Sequence, residues 1–498
     1  MSFVSISDIV VGPAWTSRES GRYSGRYPLA VERHALAQVG RLLPGVTTVT
    51  PHARYYSLHG LVAAETAGRS IGAAAAQRLV RRCEVVMGAI STLHHDPHPG
   101  MSRAHGSDRI GPALSGGAAL NVAEVASSNV YAQADWGFWG PYLASEGLLG
   151  LVEWSGGLPG PGPELDVAAV RAGLGPLLDL AEQDRIDQAV LRDHKSLCLC
   201  GATHAPDGRM LQRRLLPSDA RPMELGGRRS QTIRMVLRLL ELSGGVRNPQ
   251  RDLVPFLLYD PSTDDDPVLQ DLEITPAWRG VALRTLSVEA WRNLWAWLVG
   301  QIAGCISLAE LGDLLAGALP DGTLQSHLDD LPARSARGGD AGRVLAAEPA
   351  VNDRGDPERW LDVLLLGALR SDELPERVRS YFEGPMDHRE RLTPSWLRGR
   401  VEEWRGRPLR DFAGFLAQQM VHRSQQIALS KSWFDRRQGQ LRIPTRVYVR
   451  DGQVFRDGGE PGSGISLRWD TLTTVLAGVG WVERAEGLWR VTDECRAL

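Results

Sequence analysis

The sequence predicts a mainly α-helical, multidomain chain, a multidomain helical bundle that closes in a small α/β module. Three observations carry this. Apolar residues recur at helical spacing through much of the chain, as in Leu79, Cys83, Val86, Met87 and Ile90, which share one face of a helix. A Gly/Pro-rich stretch at 156–163 and a Gly, Ala, Asp and Arg-rich stretch at 333–356 interrupt the pattern, as linkers do. Hairpin signals gather near the C-terminus, with Asp451-Gly452 the strongest, because tight hairpin turns need residues that tolerate positive φ.

Taken in order, residues 1–27 read as an irregular basic arm. Arg18, Arg22 and Arg26 lie among Trp15, Tyr23 and Tyr27, and interleaved cations and rings can hold phosphates and stack bases. The plainer alternative is an ordered loop packed on the body. Residues 28–155 form an N-terminal helical domain. Pro28 suits a first helical turn, and Pro44-Gly45 stops that helix. Helices at 53–66, 73–93 and 118–134 follow. Tyr55, Tyr56, His59 and Cys83 read as core. The aromatic segment 136–152 ends the domain.

Residues 165–335 form a middle helical domain. In its 229–242 helix Ile233, Val236, Leu237 and Leu240 face inward, while Arg229, Arg234 and Arg238 form a solvated basic face. An acidic loop spans 260–273. A tryptophan-rich helix at 287–300 takes Ser287 as its cap, and Ser307 with Glu310 has capping-box spacing. Residues 356–440 form a C-terminal helical domain. There Thr393-Pro394 makes a cap followed by proline, and 408–429 is one long amphipathic helix.

Residues 441–498 hold two β-runs, a helix at 466–479 and a closing hairpin around Ala485–Gly487. That ending looks like a winged helix, whose helix enters a groove while the wing touches backbone. Arg468, Arg484 and Arg490 are its candidate phosphate contacts, and Arg18, Arg22 and Arg26 form a second patch. A hairpin and loop stand where a helix-turn-helix would place a helix.

The formal net charge of −3 excludes a generalised attraction to nucleic acid, so binding must come from local patches such as the basic stretch 389–450. Lys195 and Lys431 are the only lysines. Five cysteines, an odd and sparse set, argue for a reducing, cytoplasmic setting. No signal peptide and no membrane-spanning run is legible. Phosphate loops, nucleophile elbows and dinucleotide fingerprints are absent.

Two sets could take zinc or another divalent metal; otherwise no cofactor is expected. His94, His98, His105 and Asp108 belong to a histidine-rich loop that would suit a metal-dependent nuclease. His194, Cys198, Cys200 and His204 offer two thiolates and two imidazoles for tetrahedral zinc. Neither spacing follows a standard metal motif.

The run Pro44-Gly45-Val46-Thr47-Thr48-Val49-Thr50, then Ala53-Arg54-Tyr55-Tyr56-Ser57-Leu58-His59, carries a resemblance. Arg81-Arg82-Cys83-Glu84-Val85-Val86, His105-Gly106, Gly140-Pro141-Tyr142-Leu143, Leu148-Leu149-Gly150-Leu151 and the segment 446–476 extend it. Together they resemble uncharacterised multidomain proteins of bacterial antiphage defence islands, encoded beside helicases and nucleases. The resemblance implies an accessory, DNA-contacting or scaffolding subunit with such partners. It brings no catalytic residues with it. A metal-dependent nuclease and a pure protein-assembly subunit are the alternatives.

Overall fold

Strong helix formers fill the segments between glycine and proline breaks, and the chain is mainly α-helical with only small sheets. The computed structural model describes residues 26–94, 103–127, 130–218, 220–332, 347–351, 354–384, 391–436 and 440–496. The chain divides into two compact units, each assembled from two separate stretches. Unit one is Met1–Gln38 with Pro276–Ile465, and unit two is Val39–Thr275 with Ser466–Leu498. Its divisions do not follow the composition breaks. The supposed linker at 156–163 supplies the turn and second strand of a hairpin, Val152–Ser155 with Leu158–Pro161. Gly156 and Gly157 both have positive φ, +57° and +80°, which a tight hairpin turn demands.

In unit two, helices Ala53–Gly68, Ala73–His94 and Val167–Glu182 pack together. The helix expected at 118–134 is replaced by a strand, Ala119–Asn121, and one turn, Val122–Val125. Asn121 is the reason: its side-chain oxygen accepts from Glu124 N at 3.2 Å, starting the short turn. The strand before it pairs with Arg185–Asp187. The Leu225–Leu242 helix corrects a second expectation. Arg229 is buried rather than solvated, and its guanidinium donates to the carbonyl of Arg214 at 2.6 Å and to those of Leu215 and Pro44. Arg238 pairs with Asp266 and Glu241, so only Arg234 of the three stays exposed. The acidic loop is two short helices, Ser262–Asp265 and Pro267–Asp271, the second capped by Asp266.

Unit one is built around Ile274–Gln301, whose first two residues belong to unit two. The helix begins well before 287, and Ser287 lies buried inside it rather than capping it. Pro276 fits the first turn, where no N–H partner is needed. Being apolar around most of its circumference, the helix is central to a core. Trp291, Trp295 and Leu298 join Leu364, Leu365, Phe412, Leu416, Met420 and Val454 there. After it come the strand Cys305–Ser307 and the helix Leu308–Gly317. Ser307 Oγ accepts from Glu310 N at 3.1 Å, and Glu310 returns the bond to Ser307 N at 2.9 Å. The Leu409–Ser430 helix packs along Leu308–Gly317. A Cβ on Gly312 would lie 3.0 Å from Gly414 Cα, so glycines meet where the two helices are closest.

Each unit then repeats one arrangement of strands. In unit one, hairpin Val447–Arg450 and Gln453–Arg456 turns at Asp451 and Gly452, both at positive φ. Its second strand also pairs with the distant Cys305–Ser307, so the early strand lies beside the last one. In unit two, Val482–Ala485 and Leu488–Val491 form a hairpin turning at Glu486 and Gly487. Here Val246 takes the place of the early strand: its N–H donates to Trp489 O at 3.1 Å and its carbonyl accepts from Trp489 N at 2.7 Å. Residues 441–498 are therefore shared between the units.

A leucine at position 312 would have to displace the backbone of the facing helix. Gly312→Leu should lower unfolding free energy by about 1–3 kcal/mol in urea titrations. Leucine at Gly317, where an added Cβ meets nothing within contact range, should leave it unchanged or raised.

Candidate functional site

The arginines of the closing helix and hairpin are placed unequally. Arg468 is half-buried at φ +66°, and its Nη1 donates to Val46 O at 2.8 Å. Burial holds its pKa below the usual arginine value. Its charge is turned to the protein's own backbone. Arg484 is exposed, its guanidinium carbon 5.7 Å from the Trp489 ring centre. Arg490 is half-exposed and 3.9 Å from the Glu486 carboxylate. With Glu483 also exposed, the hairpin surface is mixed in sign. The Trp469–Gly478 helix is mostly buried and offers solvent only Asp470 fully.

Arg18 and Arg22 lie outside the described residues. Arg26 is exposed, and its carbonyl accepts from Lys431 Nζ at 2.6 Å. It borders a cavity of about 540 Å³ in unit one, lined also by Tyr27, Glu32, Arg292, Arg446 and Glu460. The cations there are engaged. Arg292 donates to Gly464 O and lies against the Tyr27 ring; Arg446 donates to Gly459 O and faces Glu460. Burial raises the carboxyl pKa of Glu32 and of Glu460 against those cations.

The two candidate metal sets exchange members. Among the described residues, His94, Cys198 and Cys200 come together, with donor atoms all within 4.8 Å of one another. Helix Ala73–His94 delivers the imidazole on its last residue. Two 3₁₀ turns, Lys195–Leu197 and Leu199–His204, deliver the thiols. His194 and His204 stay outside the group: His194 Nδ1 bonds the Val190 carbonyl, and His204 is exposed. His98 lies outside the described residues. His105 is not near the group either. It stacks on Phe138 and bonds the Tyr142 hydroxyl at 3.1 Å, and burial lowers its pKa to about 3, keeping it neutral. Asp108 is exposed and beside Arg109.

The thiol-bearing turns are held from two sides. Leu199 N donates to Ser91 Oγ at 3.1 Å. Arg54, buried and paired with Asp207, donates to the carbonyls of Ser196 and Cys198. The Cys200 thiol lies 3.6 Å from His94 Nδ1. Hydrogen bonding between the two thiols favours the Cys198 thiolate against burial, while Cys200 is held protonated.

A third cluster is wholly internal. His59 Nδ1 lies 2.5 Å from Glu146 Oε1 and its Nε2 lies 3.1 Å from Glu84 Oε1, all three side chains having no exposure. Trp139 Nε1 donates to Glu146, and the Phe138 N–H to Glu84. Burial alone would lower the His59 pKa; the two carboxylates override it and raise it to about 9. The cluster thereby fixes the backbone N–H of Phe138 and the indole of Trp139. Sequence spacing did not reveal it, although Glu84 and Glu146 on otherwise apolar helix faces were the available signal.

Comparison with known protein families, with curated proteins and with solved structures finds no match.

Because the folded His59 pKa lies above its unfolded value of about 6.5, its stabilisation is fully present below pH 6.5 and is lost as pH rises through about 9. The wild-type advantage over His59→Gln in urea unfolding should therefore shrink by roughly 3 kcal/mol between pH 6 and pH 10. Gly201→Ala should also destabilise, since its Cβ would collide with Ser196 O and the Arg54 guanidinium. Thermal unfolding should show a loss of about 1–3 kcal/mol.

Proposed function

We propose that the chain is a non-catalytic scaffolding subunit of a bacterial antiphage defence complex, with winged-helix-like arrangements serving assembly and DNA-backbone contact. The observation that carries this is a hairpin in each unit whose second arm pairs with a segment far earlier in the chain. In both units a helix, a short paired segment and a second helix are followed, after many intervening elements, by a further helix and a hairpin, with the early segment, a strand in unit one and the single Val246 bridge in unit two, beside the hairpin's second arm. Leaving the intervening elements aside, that succession is similar to a winged helix, which supports reading the two arrangements as docking modules. In unit two the sequence runs Leu225–Leu242, Val246, Pro249–Tyr259, then Trp469–Gly478 and the closing hairpin.

Burial decides how such modules would work. On this reading Leu409–Ser430 and Trp469–Gly478 would be the groove-reading helices, and both are largely packed inside their own units. This favours assembly over base reading. Arg484 and Arg490 on the hairpin remain for phosphate contact, which positions a protein without reading sequence. The nuclease alternative is weaker, because His105 and Asp108 stay apart from His94 among the described residues. The setting, with a neighbouring helicase or nuclease as partner, rests on the resemblance in the first third and last part of the chain. No described helix is long and apolar enough to cross a membrane.

Co-purification of the tagged chain with each neighbouring gene product, with and without nuclease treatment, tests the proposal. A partner retained after nuclease treatment supports scaffolding; failure to recover any neighbouring product in either case overturns it. DNA affinity should fall about tenfold between 50 and 200 mM salt if two phosphates are contacted. Arg484→Ala with Arg490→Ala should abolish that slope, and an unchanged slope would remove these residues from the interface.

A further inference from the structure

We propose that His94, Cys198 and Cys200 bind one zinc ion, which clamps the 195–204 turns to the end of the Ala73–His94 helix. The site joins one residue from one stretch and two from another about a hundred positions further on, a grouping no local spacing rule would find. Its geometry suits the metal. Zinc–sulfur and zinc–nitrogen bonds of about 2.3 and 2.0 Å at tetrahedral angles place neighbouring sulfur and nitrogen donors about 3.6 Å apart. Cys200 Sγ and His94 Nδ1 are 3.6 Å apart before any ion is considered. The third donor, Cys198 Sγ, lies within 4.8 Å of both. Closing the three donors on an ion asks for side-chain adjustment of an ångström or so, not for backbone movement.

The donor chemistry selects among metals. Two thiols and one imidazole are soft to borderline ligands, matched to zinc and mismatched to magnesium, calcium or manganese, which take oxygen. Two thiolates neutralise a divalent ion, so the loaded site carries no net charge and needs no counter-ion in its half-buried position. Arg54 is already balanced by Asp207. Cys198 is buried, Cys200 half-buried and His94 partly exposed, and these three fill three of the four tetrahedral positions.

The surroundings are built to hold the donors still. Arg54 fixes the carbonyls on either side of Leu197, Ser91 fixes the N–H between the two cysteines, and Gly201 allows the turn to close against Ser196. Zinc ligands elsewhere are commonly oriented by such outer contacts. The turns themselves are short 3₁₀ pieces, which have little stability of their own. A metal would supply what the backbone lacks there.

The test uses the full chain purified without a polyhistidine tag. Elemental analysis should find about one zinc per chain, in keeping with a single three-donor site. The double variant Cys198→Ser/Cys200→Ser should hold less than about a tenth of that, His94→Ala should lower it, and Cys305→Ser, an exposed cysteine remote in sequence, should retain it. If the double variant does not fold, two measurements on the wild type decide. Blocking thiols with a mercurial should release the zinc in step with cysteine modification. Cobalt exchanged into the site should show thiolate-to-metal charge-transfer absorption. Zinc-free protein that takes up no added zinc or cobalt overturns the proposal. So does full zinc retention in the double variant, or a cobalt spectrum without thiolate character.

Discussion

Each unit depends on a backbone pairing made across a very long stretch of chain. Cys305–Ser307 must find Gln453–Arg456, and Val246 must find Trp489. Such pairings are tolerable because loop-closure entropy grows only with the logarithm of length, each doubling adding about 0.6 kcal/mol. A hairpin alone is marginal in water. The early segment covers one edge of each hairpin, as a third strand in unit one and as the single Val246 bridge in unit two, and the neighbouring helices give it a face to bury. The long intervening segments can then be whole helical layers without preventing the pairing.

Charge buried inside unit two does the complementary work of fixing position. Arg54 is tied to Asp207 and to two loop carbonyls, and Arg229 to three carbonyls where turns meet a helix. His59 is shared by two carboxylates. Such groups add modest net stability, because desolvation offsets much of their attraction. Their geometric demands are stricter than those of apolar contacts, and they cost most when half of a pair is removed. They hold the turns around the candidate metal donors and the Phe138–Trp139 segment in one arrangement.

Local signals were legible, and long-range ones were not. Asp451-Gly452, the Ser307 and Glu310 box and the Thr393-Pro394 cap all act within four residues, and all appear where spacing placed them. The helix expected at 118–134 failed because Asn121 started a short turn against a strand arriving from residue 185. Helical periodicity places Arg229 on a polar face without saying whether a second layer covers it, and here one does. Gly156-Gly157 looked like a linker because hairpin turns and linkers share a composition. The cysteine pair was visible in sequence, but its imidazole came from His94 rather than from the nearer His194 or His204. Nothing local distinguishes those three histidines.

The interleaving of the two units bears on synthesis. A nascent chain emerging from the ribosome can complete unit one once residue 465 is clear. Unit two has most of its helices much earlier, yet its early Val246 edge waits for Trp489, which emerges well after them and after residue 465. During that interval the 246–259 region presents an unpaired strand edge and an unfilled apolar seat. A chaperone that shields such surface, or slow translation between residues 465 and 489, would therefore affect the yield of unit two more than that of unit one.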